Sequence, residues 1–179
     1  LNDYTASLAA RGRASGAYVQ KVFEKEVFTA APGIAALAAR EVGPDEIVDL
    51  LRPLSARGAK VYRNRMRAYL HAAYAYGLRA EYDETRQSTK RFGLTQNPVA
   101  AVPLLDAVER VGERALSAAE LRQFYRHVGD VTNVGPVMAV FIQFLIATGG
   151  QRPKQVLAAR WEDYDLEART LRIIDRKGR

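Results

Sequence analysis

Residues 147–166 read ATGGQRPKQVLAARWEDYDL, and this stretch tells more about the fold than any other part of the 179-residue chain. An apolar helix predicted over Met138 to Ala147 ends at its glycine pair, and Pro153 suits the first turn of a following helix. An acidic turn then leads to a strand-like run, Thr170 to Ile174. Arg152 is therefore predicted at a helix–helix junction, where a rigid frame can direct its guanidinium toward a phosphate.

The composition excludes several classes of protein. The longest apolar run, Val137 to Thr148, is shorter than a membrane span and contains Gln143, so it predicts a buried helix and no membrane partner. The chain has no cysteine, which leaves neither a disulfide framework nor a thiolate metal site. With only His71 and His127 as imidazole ligands, we expect no zinc centre. A cytoplasmic location is the simplest interpretation.

The positive charge is concentrated in one segment. The chain carries a net charge of +7, and residues 57–91 alone hold nine basic and three acidic side chains, a net of +6. A local excess of this kind indicates a polyanionic partner, most simply nucleic acid. The alternative is a solvated basic surface without a partner.

Hydrophobic spacing predicts a mainly α chain. The most strongly patterned helix runs from about Lys60 to Arg79, with an apolar face built on residues such as Met66 and Leu70. A second face of this helix carries hydrogen-bond donors at one-turn intervals, and such a row can follow a DNA backbone or lie in a groove. This polar row consists of Lys60, Arg63, Asn64, Arg67 and His71.

A boundary is predicted in the middle of the chain. Residues 86–114 show little periodicity and contain Pro98 and Pro103, which is typical of a linker. After them, the order Ser117, Ala118, Ala119, Glu120 is a capping box that predicts the start of a helix running to about Val128.

Together these motifs resemble the tyrosine recombinases of the phage-integrase family. Thr148-Gly149-x-x-Arg152 followed by Leu157-x-x-x-Trp161-x-Asp163-x-Asp165 is similar to the first active-site box of that family. The resemblance implies a helical, SAM-like core-binding domain over 1–85, a linker over 86–114, and the N-terminal part of an α+β catalytic domain over 115–179. Chain ends at Leu1 and Arg179 agree with a fragment of a longer protein.

The resemblance also implies a reaction. Enzymes of this family cleave DNA with a tyrosine hydroxyl, forming a 3′-phosphotyrosyl intermediate without metal or cofactor. Arg152 would stabilise the charge of the transition state, and Lys177 in the predicted hairpin would protonate the leaving 5′-oxygen. The second active-site box and the nucleophile are expected beyond residue 179, so the fragment alone would bind DNA without cutting it.

The implied partners are double-stranded DNA, further copies of the protein in a synaptic tetramer, and accessory DNA-bending or directionality proteins. The implied location is the bacterial cytoplasm, at the nucleoid when bound. One residue departs from the family pattern, because Gln155 stands where an acidic residue is usual. Two alternatives remain: a non-catalytic DNA-binding protein of the same fold, and an all-helical interaction protein whose basic charge is incidental.

Overall fold

The structure, a computed structural model, describes residues 1–86, 88–106 and 112–174. It is mainly helical, as predicted, with one small two-stranded sheet among the described residues. The chain divides into two compact units, Leu1–Val111 and Gly112–Arg179. Each unit is described separately.

Five α-helices and three short turns of π- or 3₁₀-helix build the described part of the first unit, the last of these turns being Pro98–Ala101. A π-helical turn, Glu24–Thr29, continues the second helix, and a 3₁₀ turn, Ala39–Glu41, precedes the fourth. The helices are α1 (Asn2–Ala10), α2 (Gly16–Phe23), α3 (Pro32–Ala36), α4 (Pro44–Ala56) and α5 (Lys60–Ala80).

The start of α4 shows how local sequence determines a helix boundary. Pro44 occupies the first turn, where its missing N–H costs nothing, and the Glu46 carboxylate accepts a hydrogen bond from the Gly43 N–H at 2.8 Å. The first helix differs from this pattern, because Asn2 lies inside α1 and makes no capping hydrogen bond.

The core of the first unit lies between α2, α4 and α5. Spacings of three and four residues place apolar side chains on one face of each helix, as in Val19, Val22 and Phe23 of α2. Met66 and Leu70 of α5 are completely or almost completely buried against this layer. The same core includes Val27, Ile47, Leu50, Leu51, Leu54, Ala73, Tyr74, Val99 and Val102.

Glu26 lies in the π-helical turn that continues α2, and its charged side chain is buried. It is 6% exposed, and its carboxylate lies 3.1 Å from Nη2 of Arg57 and 3.4 Å from Nζ of Lys25. Both partner cations remain largely in solvent. The pairing is necessary because an unpaired buried carboxylate would be strongly destabilising.

Residues 97–105, the anchored segment, also belong to the first unit. A 3₁₀ turn, Pro98–Ala101, lies against α4 and α5, and Val99 and Val102 are fully buried. The prediction of a linker over 86–114 differs from the structure here. The first unit includes Val99 and Val102, which the linker prediction left outside it. Two valines spaced three residues apart are too short a pattern to predict a core element.

Three helices and a hairpin form the described part of the second unit. The predicted capping box is confirmed: Ser117 Oγ accepts from the Glu120 N–H at 3.2 Å, and Glu120 accepts from the Ser117 N–H at 2.8 Å. The helices are α6 (Ala118–His127), α7 (Pro136–Ala147) and α8 (Pro153–Leu157), and antiparallel strands β1 (Tyr164–Asp165) and β2 (Thr170–Leu171) follow.

The second unit buries few of its apolar residues. Among residues 112–174 only Val128, Ala139 and Val156 are buried. Helix α7 is almost entirely apolar, but Val137 is 84% exposed and Val140 is 65% exposed. An apolar surface this extensive is unusual on an isolated unit of this size.

Candidate nucleic-acid interface

Arg152 lies at the junction between α7 and α8, in the position that the sequence predicts. Gly149 and Gly150 both have left-handed backbones, with φ of 78° and 75°, which glycine adopts without steric cost. Their N–H groups donate to the carbonyls of Ile146 and Leu145 and terminate α7. The chain then becomes extended at Arg152, whose carbonyl accepts from the Gln155 N–H and begins α8.

The acidic turn after α8 contains an ion pair that the sequence pattern did not predict. Asp163 accepts from the Arg160 N–H at 2.9 Å, and one of its carboxylate oxygens lies 3.0 Å from Nη2 of Arg172. The Arg160 hydrogen bond, and after it the Arg172 guanidinium, lowers the pKa of Asp163. The Asp163 carboxylate, directly before β1, is therefore paired with Arg172, directly after β2.

Gln155 lies beside this ion pair. A cavity of about 210 Å³ is lined by Gln155, Arg160, Asp163 and Arg172, among others. Gln155 thus lines the same cavity as two carboxylates, those of Glu162 and Asp163, and two arginines. A glutamine there can hydrogen-bond to either type of charged group without adding a charge.

Lys177, the second predicted catalytic residue, lies outside the described residues, together with the rest of 175–179. The predicted strand over Thr170 to Ile174 is confirmed only as far as Leu171, where pairing with Tyr164 ends. Arg172 continues the hairpin by donating its N–H to the Asp163 carbonyl at 2.9 Å.

Three members of the polar row of α5 contact the anchored segment. Arg63 Nη1 donates to the Pro103 carbonyl at 2.7 Å, and Arg67 Nη2 donates to the Val99 carbonyl at 3.2 Å. Asn64 pairs with both backbone groups of Leu105, donating to its carbonyl at 2.9 Å and accepting from its N–H at 3.0 Å. Much of the row therefore binds the protein's own backbone.

Arg63 is the most enclosed of these cations, with 6% of the residue exposed. Burial, and to a smaller degree the neighbouring Arg67 charge, lowers the pKa of Arg63. Its guanidinium remains charged at neutral pH because an arginine pKa lies far above that range. The Pro103 carbonyl of the anchored segment and the side-chain oxygen of Asn64 accept hydrogen bonds from this buried charge.

The other two members of the polar row, Lys60 and His71, are exposed. The exposed side of α5 carries two more cations, Arg65 and Arg79, which the sequence pattern had not singled out. Helical spacing could have identified Arg65 and Arg79, because both lie on the side of α5 that faces away from Met66 and Leu70. Arg57, Lys90 and Arg91 are exposed cations of the same charged segment.

Two features are absent from the described residues. Within residues 1–86, 88–106 and 112–174, no helix is both long and apolar enough to cross a bilayer. In the same ranges, no three potential metal ligands lie together.

Comparison of the chain with models of known protein families, with curated proteins and with solved structures found no match in any of the three. The resemblance to tyrosine recombinases therefore depends on the sequence motifs alone.

Proposed function

We propose that this chain is the DNA-binding part of a tyrosine-type site-specific recombinase from a phage or other integrating element. The observation that carries the proposal is the backbone around Arg152. A helix ends at two left-handed glycines, one extended arginine follows, and a second helix and an acidic hairpin come directly after it. Each of these features coincides with a residue of the motif that resembles the first active-site box.

In the proposed reaction Arg152 stabilises the transition state. Negative charge accumulates on the non-bridging oxygens of the phosphate under attack, and a planar guanidinium can donate two parallel hydrogen bonds to them. Lys177 would protonate the leaving 5′-oxygen. The tyrosine nucleophile would come from a longer protein that includes this chain, and the reaction would require no cofactor.

The first unit would act as the core-binding domain, with a SAM-like arrangement of helices. Its exposed cations on α5, Lys60, Arg65 and Arg79, would contact phosphates together with His71. Arg63, Asn64 and Arg67 would support this surface by holding the anchored segment. The proposed setting is the bacterial cytoplasm, with a synaptic tetramer on DNA and accessory proteins that bend DNA or set direction.

DNA binding is tested by titrating a fluorescent duplex with the chain at several salt concentrations. Replacing Lys60, Arg65 and Arg79 together by glutamine should weaken binding and reduce the salt slope by about 0.9 for each phosphate that is no longer neutralised. The matched control replaces Arg13, Lys21 and Arg52, three exposed cations of the same unit, by glutamine. Equal weakening in both variants, or no binding by the unmodified chain, would contradict the proposed interface.

Catalysis is tested with the full-length protein and a nicked duplex that traps the covalent intermediate. Arg152→Lys should reduce formation of the 3′-phosphotyrosyl complex by about 100-fold or more, because lysine lacks the planar fork. Duplex binding should remain within a few-fold of normal. Covalent complex at the normal level would show that Arg152 does not stabilise the transition state.

A second candidate function is a non-catalytic DNA-binding protein with the same fold, and Gln155 favours it. Glutamine beside Asp163 and Arg172 lacks the charge that the family usually places there. Gln155→Glu separates the two candidates. A rise in covalent complex would indicate an enzyme weakened at this position, whereas a full-length protein that binds DNA but forms no complex with either residue would be the non-catalytic one.

A further inference from the structure

The first unit encloses a cavity of about 370 Å³ that the proposed function does not use. Its floor is apolar and includes Val27, Ile47, Leu50 and Leu70, four buried residues contributed by the π-helical turn, α4 and α5. Cavities of this size with mostly apolar walls are typical sites for small molecules.

Charged groups are concentrated where the cavity meets solvent. Arg40, Lys90 and Arg91 line the cavity and are themselves exposed to solvent. Asp3 is the one acidic side chain among the described residues that line it. The opening therefore carries an excess of positive charge above an apolar floor, which is complementary to a molecule with an apolar body and an anionic end.

Three tyrosines that line the cavity carry neutral hydroxyl groups, which can donate hydrogen bonds. Tyr4, Tyr74 and Tyr76 line the cavity, and the rings of Tyr4 and Tyr76 are 5.8 Å apart. Burial, with a smaller contribution from Glu46, raises the pKa of Tyr74 to about 12, so its hydroxyl stays protonated near neutral pH. Such hydroxyls can donate to a carboxylate without adding negative charge of their own.

One wall of the cavity is a strap, residues 88–94, which is fastened at several points. The Glu81 carboxylate accepts from the N–H groups of Phe92 and Gly93, the latter at 2.7 Å. Arg86 Nη2 donates to the Lys90 carbonyl at 2.7 Å, and its guanidinium carbon lies 4.9 Å from the centre of the Phe92 ring. These contacts hold Lys90 and Phe92 at the cavity.

Gly77 allows the strap to pack closely on α5. A Cβ atom at this position would lie 2.7 Å from Cδ1 of Leu94, which is closer than such atoms approach. Gly77 lies in the last turn of α5, and a larger residue at this position would require the Leu94 side chain to move.

We propose that this cavity binds a free anionic amphiphile, a molecule with a single carboxylate and an aliphatic or aromatic body, with the carboxylate at Lys90 and Arg91 and the body on the apolar floor. The proposal does not depend on DNA binding. A cation at the same site would face three like charges, and a neutral alcohol would gain from the floor alone.

The experiment measures binding of monomeric decanoate, decanol and decyltrimethylammonium to the 179-residue chain by calorimetry. Decanoate should bind most tightly and the cation most weakly. Lys90→Gln with Arg91→Gln should weaken decanoate binding about tenfold, equivalent to about 1.4 kcal/mol, and leave decanol unchanged. The control pair Arg13→Gln with Lys21→Gln, exposed cations that do not line the cavity, should leave decanoate binding unchanged.

Two neighbouring residues of α3 test the location. Ala35 lines the cavity and is partly buried, whereas Ala36 is exposed and does not line it. Ala35→Trp should abolish decanoate binding and Ala36→Trp should preserve it. If Ala35→Trp does not fold, amide shifts of the unmodified chain on decanoate addition give the location, and they should be largest at residues that line the cavity.

Several outcomes would overturn the proposal. They are equal affinity for decanoate and decanol, equal weakening in the two charge variants, normal binding by folded Ala35→Trp, or shifts away from the cavity. Association with phosphatidylglycerol vesicles without binding of monomeric decanoate would also overturn it, because it would indicate a membrane surface in place of a free ligand.

Discussion

The two units use similar helices but differ in how far these helices are enclosed. Helix α5 carries several cationic side chains along its length, yet seven of its residues are buried, including Arg63. Helix α7 is almost entirely apolar, yet only Ala139 is buried. The more polar helix is thus the better buried one.

The difference lies in what surrounds each helix. Helix α5 packs against α1, α4 and the 3₁₀ turn of the anchored segment, whereas α7 packs mainly against α6 and the turn at Val128–Asp130. Burial depends on the number of elements around a helix, and apolar composition alone does not provide it. The first unit therefore has a complete core, whereas the described part of the second has an apolar surface without a covering layer.

The largest expected effect of this difference is on local stability. Amide hydrogens near Leu70 in α5 should exchange at least about a thousandfold more slowly than those near Phe144 in α7, since core helices open only by global unfolding. Hydrogen exchange followed by mass spectrometry would measure this. Equal protection of the two helices would show that the second unit is as well packed as the first.

The two methionines of the chain give a matched pair of core probes. Met66 is 0% exposed in α5, and Met138 is 52% exposed in α7. Met66→Ala should reduce the free energy of unfolding by about 2–5 kcal/mol because it leaves a cavity, whereas Met138→Ala should change it by less than about 0.5 kcal/mol. Urea unfolding followed by circular dichroism measures both free energies of unfolding. Similar reductions in the two variants would show that Met66 and Met138 are equally important for packing.

The anchored segment gives a smaller effect that is specific to the first unit. Asn64→Ala should cost about 1–3 kcal/mol, because it leaves both backbone groups of Leu105 without their partner. Arg65→Ala, at the adjacent exposed position, should cost less than about 0.5 kcal/mol. Limited proteolysis should cut the Asn64 variant near residues 97–105 first. An unchanged cleavage pattern would show that the segment is held by its valines alone.

The smallest expected effect concerns one carboxylate in each unit. Hydrogen bonds from the Gly93 and Phe92 N–H groups lower the pKa of Glu81, and those from Arg160 and Arg172 lower the pKa of Asp163. Each ionised carboxylate therefore stabilises the fold at pH values above its ordinary pKa, which is about 4.3 for glutamate and about 3.9 for aspartate. This contribution to stability is lost as the pH falls through the lowered pKa of the folded protein.

Carbon-13 chemical shifts of the two carboxyl groups would measure these pKa values directly. Both should titrate below the ordinary values, and the amide shifts of Phe92 and Gly93 should follow Glu81. In Glu81→Gln that coupled change should disappear, while Asp163 should titrate as before. An ordinary pKa at Glu81 would mean that the strap is not held by this carboxylate in solution.

Features determined within a few residues could be predicted from the sequence. The capping box at Ser117 and the junction at Arg152 both depend on neighbours in the chain, since a hydroxyl bonds three residues ahead and two glycines end a helix locally. The mainly α character follows equally from local spacing.

Features that join distant residues could not be predicted. Arg63 and Asn64 find their partners about 40 residues later. Those partners are backbone carbonyls, which every residue carries, and a backbone N–H, which every residue except proline carries. Side-chain patterns contain no signal for such contacts, so the polar row was interpreted as a solvent-facing surface. The Asp163–Arg172 pair depends in the same way on a hairpin that brings its ends together.

The buried carboxylate of Glu26 has a consequence for how sequences related to this one can diverge. Loss of Arg57 alone would leave the buried Glu26 carboxylate with Lys25 and the Tyr62 hydroxyl but without the Arg57 guanidinium, whereas replacement of Glu26 and Arg57 together by apolar residues of similar volume can be neutral. Selection should therefore allow these two positions to change as a pair more readily than singly. In a set of natural homologues, positions 26 and 57 are expected to covary, although 31 residues separate them in the chain.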